Sequence, residues 1–222
     1  MTTVSIPNTA SPTTNIVLRD TLRLIAGMLL ITAVAAAITT QLQLPLMAGK
    51  IATGCGFALL FFIRFCRQLI SPLATLGCIL AFSLLEGIGM GPILHHILNI
   101  ENGSALIGTA ALLTSLTTAS CSYVAHTSKQ DFSKYTTFLV IAAVLVFLVG
   151  IISHFYPSYT MLMTFASGAA VVFTGFLLTN LQDVMKGKQK NYMLAAIDIY
   201  VSLSALFNIF LILAGTKRPI GK

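Results

Sequence analysis

The sequence contains little charge. Only 9% of its 222 residues are charged, whereas an ordinary soluble domain has about 25%, and 56% are hydrophobic. Such a chain cannot cover itself with a polar surface in water. Its polar stretches are a few short connections between long apolar runs, so we expect the lipid bilayer to be its solvent.

Several functional signatures are also missing. The four cysteines lie in or beside apolar segments without CxxC spacing or clustered histidines, which signals neither a disulfide framework nor a metal site. No Walker loop, nucleophile elbow, HExxH motif or dinucleotide fingerprint is present, so we expect neither an enzyme nor a cofactor. The net charge of +7 does not indicate nucleic-acid binding, because the basic residues are scattered at the ends of apolar runs.

Long apolar runs dominate what is present. A bilayer core about 30 Å thick requires about 20 apolar residues in a helix. The runs do not alternate in hydrophobicity as lipid-facing strands do, so they predict helices rather than a barrel. The predicted spans are Thr21–Leu42, Ala48–Phe65, Pro72–Leu94, Ala105–His126, Tyr135–Phe155, Tyr159–Leu181 and Tyr192–Gly215.

The first 18 residues differ from the rest. They contain no charged side chain and lack the basic start of a cleavable signal peptide. We expect a disordered cytoplasmic tail over 1–18 and a seven-helix transmembrane domain over 19–222.

The basic residues predict the orientation, because Lys and Arg are enriched in cytoplasmic connections. With seven spans, nine of them fall on the side of the N-terminus and four on the other side. The N-terminus should therefore be cytoplasmic and the C-terminus exterior. The three basic residues of the C-terminal tail do not fit this orientation. They would fit it if the last segment re-entered the membrane without crossing it.

Acidic residues inside apolar segments mark helix interfaces or functional paths, since they are costly in lipid. Glu86 lies well inside the third segment, Asp183 at the end of the sixth, and Asp198 about one and a half turns into the seventh. The seventh segment also has polar positions on the face of Asp198, including Ser202. We therefore predict an all-α bundle in which six helices surround a central, polar-faced seventh helix.

The sixth and seventh segments share a short connection, which should bring Asp183 near Asp198, and Arg64 ends the second segment at the same level. Two carboxylates beside an arginine favour a proton sensor or a cation site. The alternative is structural: Asp183 is then a solvated helix end and Asp198 a hydrogen-bonded interior acid.

A glycine-rich run follows Glu86. Gly87 and Gly91 form a GxxxG face that permits close helix approach, and Pro92 removes a hydrogen bond of the preceding turn. These residues predict helix packing, and Glu86 either bonds a neighbouring helix or lines a path from the outer face.

Several motifs together carry a family resemblance. They are GIGMGPIL at 87–94, IGTA at 107–110, TSKQDFS at 127–133, NYMLAAIDIYVS at 191–202 and LFNIF at 206–210. In these motifs the sequence resembles the Bax inhibitor-1 family, and most closely its bacterial YccA-like branch. The resemblance covers all seven segments.

The resemblance implies six helices around a seventh, titrating acids on the cytoplasmic side and a pH-sensitive leak of calcium ions. For the YccA-like branch it also implies a location in the bacterial inner membrane and association with the membrane-bound AAA protease FtsH. Two acidic positions of the family are occupied by Asn180 and Ser202, while Asp198 matches an acid of some eukaryotic members. Two hypotheses remain open: a cation leak using Asp198, Asp183 and Arg64, and a non-conducting protein that binds and modulates the protease.

Overall fold

The described part of the chain forms seven α-helices. The computed structural model describes residues 12–66, 71–156 and 158–215. A short 3-10 helix, η1 (Phe132–Tyr135), precedes the fifth α-helix. The α-helices are α1 (Pro12–Gln41), α2 (Leu46–Phe65), α3 (Pro72–Leu98), α4 (Gly103–Thr127), α5 (Thr136–Phe155), α6 (Tyr159–Met185) and α7 (Tyr192–Gly215).

All seven helices are long and apolar enough to cross a membrane, as the sequence predicted. One end of the bundle gathers four parts of the chain. They are the start of α1, the end of α2, the 128–135 connection and the 186–191 connection. We call this end the N-terminal face. Contacts across it join distant parts of the chain: Thr21 of α1, for example, donates a hydrogen bond to the backbone oxygen of Tyr192 at the start of α7.

Several helix boundaries differ from the predicted ones, notably the start of α1 and the end of α3. α1 begins at Pro12, so residues 12–18 of the predicted tail are helical, and residues 1–11 lie outside the described part of the chain. Proline suits the first helical position, because its missing N–H has no partner there and its φ is already helical. α3 continues through Pro92 to Leu98, one turn beyond the predicted end.

α7 is the most buried of the seven described helices, which is compatible with a central position. Half of its span is buried, whereas only 6% of the α5 span is. α7 packs against α1, α3, α4 and α6. Within the described residues α2 packs on α3, and α5 on α6 and η1, so these two helices lie outside the inner group. Among the described residues the backbone of α7 therefore packs against four helices, and α2 reaches it through a side chain, that of Arg64.

The glycine run of α3 lies where helices cross closely. A Cβ added to Gly87 would lie 2.5 Å from the backbone oxygen of Thr32 in α1. Gly91 faces Thr39 of the same helix, and Gly89 faces Thr53 of α2. α3 thus brings α1 and α2 to its two sides because it has no side chains at these positions.

Candidate functional site

An ion pair near the N-terminal face joins α2 to α7. Nη1 of Arg64 lies 3.0 Å from Oδ1 of Asp198 and donates a hydrogen bond of 3.3 Å to Oδ2. The Asp198 side chain is 22% exposed and that of Arg64 58%. The backbones of α2 and α7 do not pack together in the described structure, so the two side chains bridge a gap between the helices. The sequence placed both residues at this level of the membrane.

Asn180 and Ser202 fix the backbone on which Asp198 stands. Nδ2 of Asn180 donates to the backbone oxygen of Asp198 over 3.3 Å, and Oγ of Ser202 donates to the same oxygen over 2.9 Å. Both therefore contact the carbonyl group of Asp198 rather than its carboxylate. The Asn180 bond ties α6 to α7 at the turn that presents the carboxylate to Arg64, and the Ser202 bond lies within α7.

A cavity of about 280 Å³ surrounds this ion pair. α2, α5, α6 and α7 each contribute to its lining, with apolar side chains such as Leu60, Val140 and Phe176. Arg64 and Asp198 are the charged residues of the lining. A carboxylate, an amide and a hydroxyl thus meet in a mainly apolar space, an arrangement that favours proton or cation chemistry.

Asp183 belongs to a different set of contacts, which corrects the expectation that it joins Asp198. Its carboxylate accepts a hydrogen bond of 2.5 Å from Oγ of Ser133, in the connection between α4 and α5. It does not line the cavity. Asp183 lies nearly one turn beyond Asn180 on α6, at the end of the helix where that connection folds over it.

The contacts of Asp183 are part of a larger polar cluster that sequence reasoning missed. We call it the clamp; it consists of Gln130, Asp131, Ser133, Gln182, Asp183, Lys186 and Lys188. Its only fully buried member is Gln182, which accepts a hydrogen bond from the Phe132 N–H over 2.8 Å and donates one to the Gln130 oxygen over 2.9 Å. The Gln130 oxygen also accepts a hydrogen bond from Nζ of Lys186. The clamp therefore attaches the 128–135 connection to the end of α6.

Lys188 provides the charged part of the clamp. Its Nζ donates to Oδ1 of Asp131 over 2.5 Å and to Oγ of Ser133 over 2.9 Å. These bonds, first from Lys188 and then from Ser133, lower the pKa of Asp131 to about 2. Asp131 therefore stays ionised at neutral pH. The sequence motif at 127–133 contains the clamp residues of this connection, but it did not indicate which residues of α6 and of the 186–191 connection they would contact.

A second polar group lies deeper in the bundle. Ser204 of α7 donates a hydrogen bond of 2.8 Å to Glu86 of α3, so Glu86 bonds a neighbouring helix. The hydroxyls of Thr32 and Tyr200 are 2.5 Å apart, and Thr32 also donates to the Ser83 backbone oxygen. These bonds connect α1, α3 and α7 inside the membrane, where a polar group without a partner is costly.

A larger cavity lies on another side of α7. It measures about 990 Å³ and is lined mainly by apolar and small side chains of α1, α3, α4 and α7. No acidic or basic side chain is in its lining. The combination of charged groups with accessible space therefore occurs at the Arg64–Asp198 cavity, which is the candidate functional site.

Comparisons with known proteins give a consistent result. A family profile described as "Inhibitor of apoptosis-promoting Bax1" matches residues 14–218. The Escherichia coli K12 protein named "Modulator of FtsH protease YccA" is 29% identical over 198 residues, covering 89% of this chain and 87% of that protein. A Vibrio cholerae protein named "Uncharacterized membrane protein" is 29% identical over 91% of this chain and 90% of its own length. An uncharacterized Pasteurella multocida protein is 34% identical over 86% and 84%.

Proposed function

The chain belongs to the Bax inhibitor-1 family of membrane proteins, in its YccA-like branch, and on this premise we propose that it modulates a membrane-bound FtsH protease. The observation that supports the proposal most is the likeness over nearly the whole chain to the Escherichia coli protein named as a modulator of that protease. The likeness covers all seven helices rather than one segment. The proposed role is regulatory binding, without catalysis by this chain.

The proposal includes an orientation. Charge places the N-terminal face in the cytoplasm of a bacterial inner membrane and the C-terminus outside. The uncharged segment over 1–18, of which residues 12–18 already belong to α1, would then face a cytoplasmic partner. We propose that this segment contacts the protease, because an uncharged polar tail is easily gripped by such a partner.

The experiment uses proteoliposomes that contain purified FtsH and a membrane-protein substrate. Adding the full-length chain should change the rate at which the substrate is degraded. A variant lacking residues 2–11 should bind the bilayer equally well but change that rate less. Equal degradation rates with and without the full-length chain would refute the modulator function.

A second candidate function, a pH-sensitive leak of cations such as calcium, is favoured by the Arg64–Asp198 pair. Asp198 loses its charge when it is protonated, and its attraction for Arg64 is then lost. Arg64 is 58% exposed and lies at the end of α2, so it can turn away once it is released. The oxygens of Asp198, Asn180 and Ser202 are of the kind that Ca²⁺ prefers.

Calcium flux into liposomes that contain only this protein tests the leak. Flux should depend on pH in the unmodified protein, and Asp198→Asn should abolish the pH dependence while the bundle stays folded. Asp20→Asn is the matched control, because Asp20 also pairs with arginines near the N-terminal face but lies on α1, outside the cavity lining. An unmodified protein that passes no calcium at any pH would refute this candidate.

A further inference from the structure

α5 is held to the bundle from one side. Within the described part of the chain it packs against α6 and η1 and against no other helix. Only 6% of its span is buried, the smallest share among the seven helices. No helix therefore supports α5 on the side that faces α2.

The lining of the Arg64–Asp198 cavity includes both the end of α2 and the first turns of α5. Leu60 and Arg64 of α2 line one side, while Thr136 and Val140 of α5 line another. α2 and α5 make no backbone contact among the described residues. The space between these parts of the lining therefore depends on the position of the first turn of α5.

The clamp determines where that turn lies. η1 runs from Phe132 to Tyr135 and leads directly into α5 at Thr136. The Phe132 N–H is bonded to the buried Gln182, and Lys188 bridges Asp131 and Ser133 immediately beside it. Every bond of the clamp thus acts within six residues of the first α5 residue in the cavity lining.

We propose that the clamp regulates access to the Arg64–Asp198 cavity by holding the first turn of α5 in place. With the clamp formed, α5 stands close beside the ion pair. When the bond from Lys188 is lost, η1 and the first turn of α5 move outward and water reaches the cavity more freely. The cavity matters for function because of the leak proposed above, on which this inference rests. The inference itself concerns only the access of water to the cavity, and it holds whether or not an ion passes.

The test measures access with a cysteine placed inside the cavity. Ser202 lines the cavity and is 2% exposed, and Ser202→Cys changes its size little. Full-length protein in detergent is treated with a charged methanethiosulfonate reagent, and the rate at each cysteine is followed by mass spectrometry. Cys121, which is 5% exposed on α4 and lies outside the cavity lining, reports general loosening of the fold.

Lys188→Ala is the test variant, and Lys190→Ala, which removes the same charge from the same connection outside the clamp, is its control. Lys188→Ala should accelerate the reaction at position 202 about two- to fivefold, the population shift expected from the loss of one exposed charge pair. The rates at Cys121, and both rates in Lys190→Ala, should stay unchanged.

Two results would overturn the inference: an unchanged rate at position 202 in Lys188→Ala, or an equal rise at position 202 and at Cys121. If Lys188→Ala does not yield folded protein, Asp131→Ala removes the same ion pair from its other side and is judged by the same rates. Flux and proteolysis do not enter this measurement, so its failure is distinguishable from failure of the proposed functions.

Discussion

Replacing Gly87 by alanine should destabilise the bundle even though the change adds one methyl group. The new Cβ would lie 2.5 Å from the backbone oxygen of Thr32 and 2.7 Å from the Cβ of Ala35. A backbone oxygen cannot rotate out of the way, so α1 and α3 must separate. Gly77 is the matched control on the same helix, because a Cβ there meets nothing within 4 Å.

The magnitude follows from two opposing terms. Overpacking of a close contact costs about 1–3 kcal/mol. Alanine in place of a helical glycine stabilises the folded state by roughly 0.5–1 kcal/mol through its better helix propensity. Gly87→Ala should therefore lower the free energy of unfolding by about 1–2 kcal/mol, while Gly77→Ala should leave it unchanged or raise it slightly.

Gly91→Ala provides an internal ranking. Its nearest neighbour is the hydroxyl of Thr39, which can rotate at the cost of its bond to Ala35, whereas the Thr39 Cβ at 2.7 Å cannot rotate away. Gly91→Ala should therefore destabilise less than Gly87→Ala. Thermal unfolding in detergent measures the order, and equal stability of the variants at positions 87 and 77 would refute the packing argument.

Three further predictions concern the polar contacts and the topology. Tyr200→Phe removes the bond between the Tyr200 and Thr32 hydroxyls and should cost about 0.5–1.5 kcal/mol of stability, measured by thermal unfolding against the unmodified protein. The pKa of Asp131 is lowered from 3.8 to about 2, so its stabilising effect is complete above about pH 4 and is lost as pH falls toward 2. Asp131→Asn should therefore differ in stability from the unmodified protein near neutral pH and converge with it in acid; a difference that persists at the lowest pH would contradict this. Reporter fusions at residues 1 and 222 should report opposite sides of the membrane, and the same side for both would favour a re-entrant last segment.

The spans were predictable because the length and apolarity of a segment decide whether it crosses a bilayer. The inward polar face of α7 followed from Asp198, whose carboxylate is costly against lipid, and from Ser202, which lies one turn later on the same face. The peripheral position of α5 was not predictable. In a membrane, lipid-facing and protein-facing surfaces are both apolar, so the sequence of α5 does not indicate how many neighbours it has.

The candidate site was predictable in part. Arg64 and Asp198 were placed together because both fall at the same depth from the same face, and the structure joins them. Asp183 shares that depth, yet it bonds Ser133, because the 128–135 connection folds over the end of α6. Contacts between a loop and a helix end depend on tertiary approach, so no periodicity in the sequence reveals them.

The most direct test of the account asks whether Arg64 and Asp198 act as one unit. Proteoliposomes with the protease allow substrate degradation and calcium flux to be measured for the unmodified protein, Arg64→Ala, Asp198→Asn and the double variant. If the pair is the responsive element, the double variant should lose no more pH dependence than either single variant. Independent, additive effects of the two substitutions, or none at all on either readout, would contradict the account.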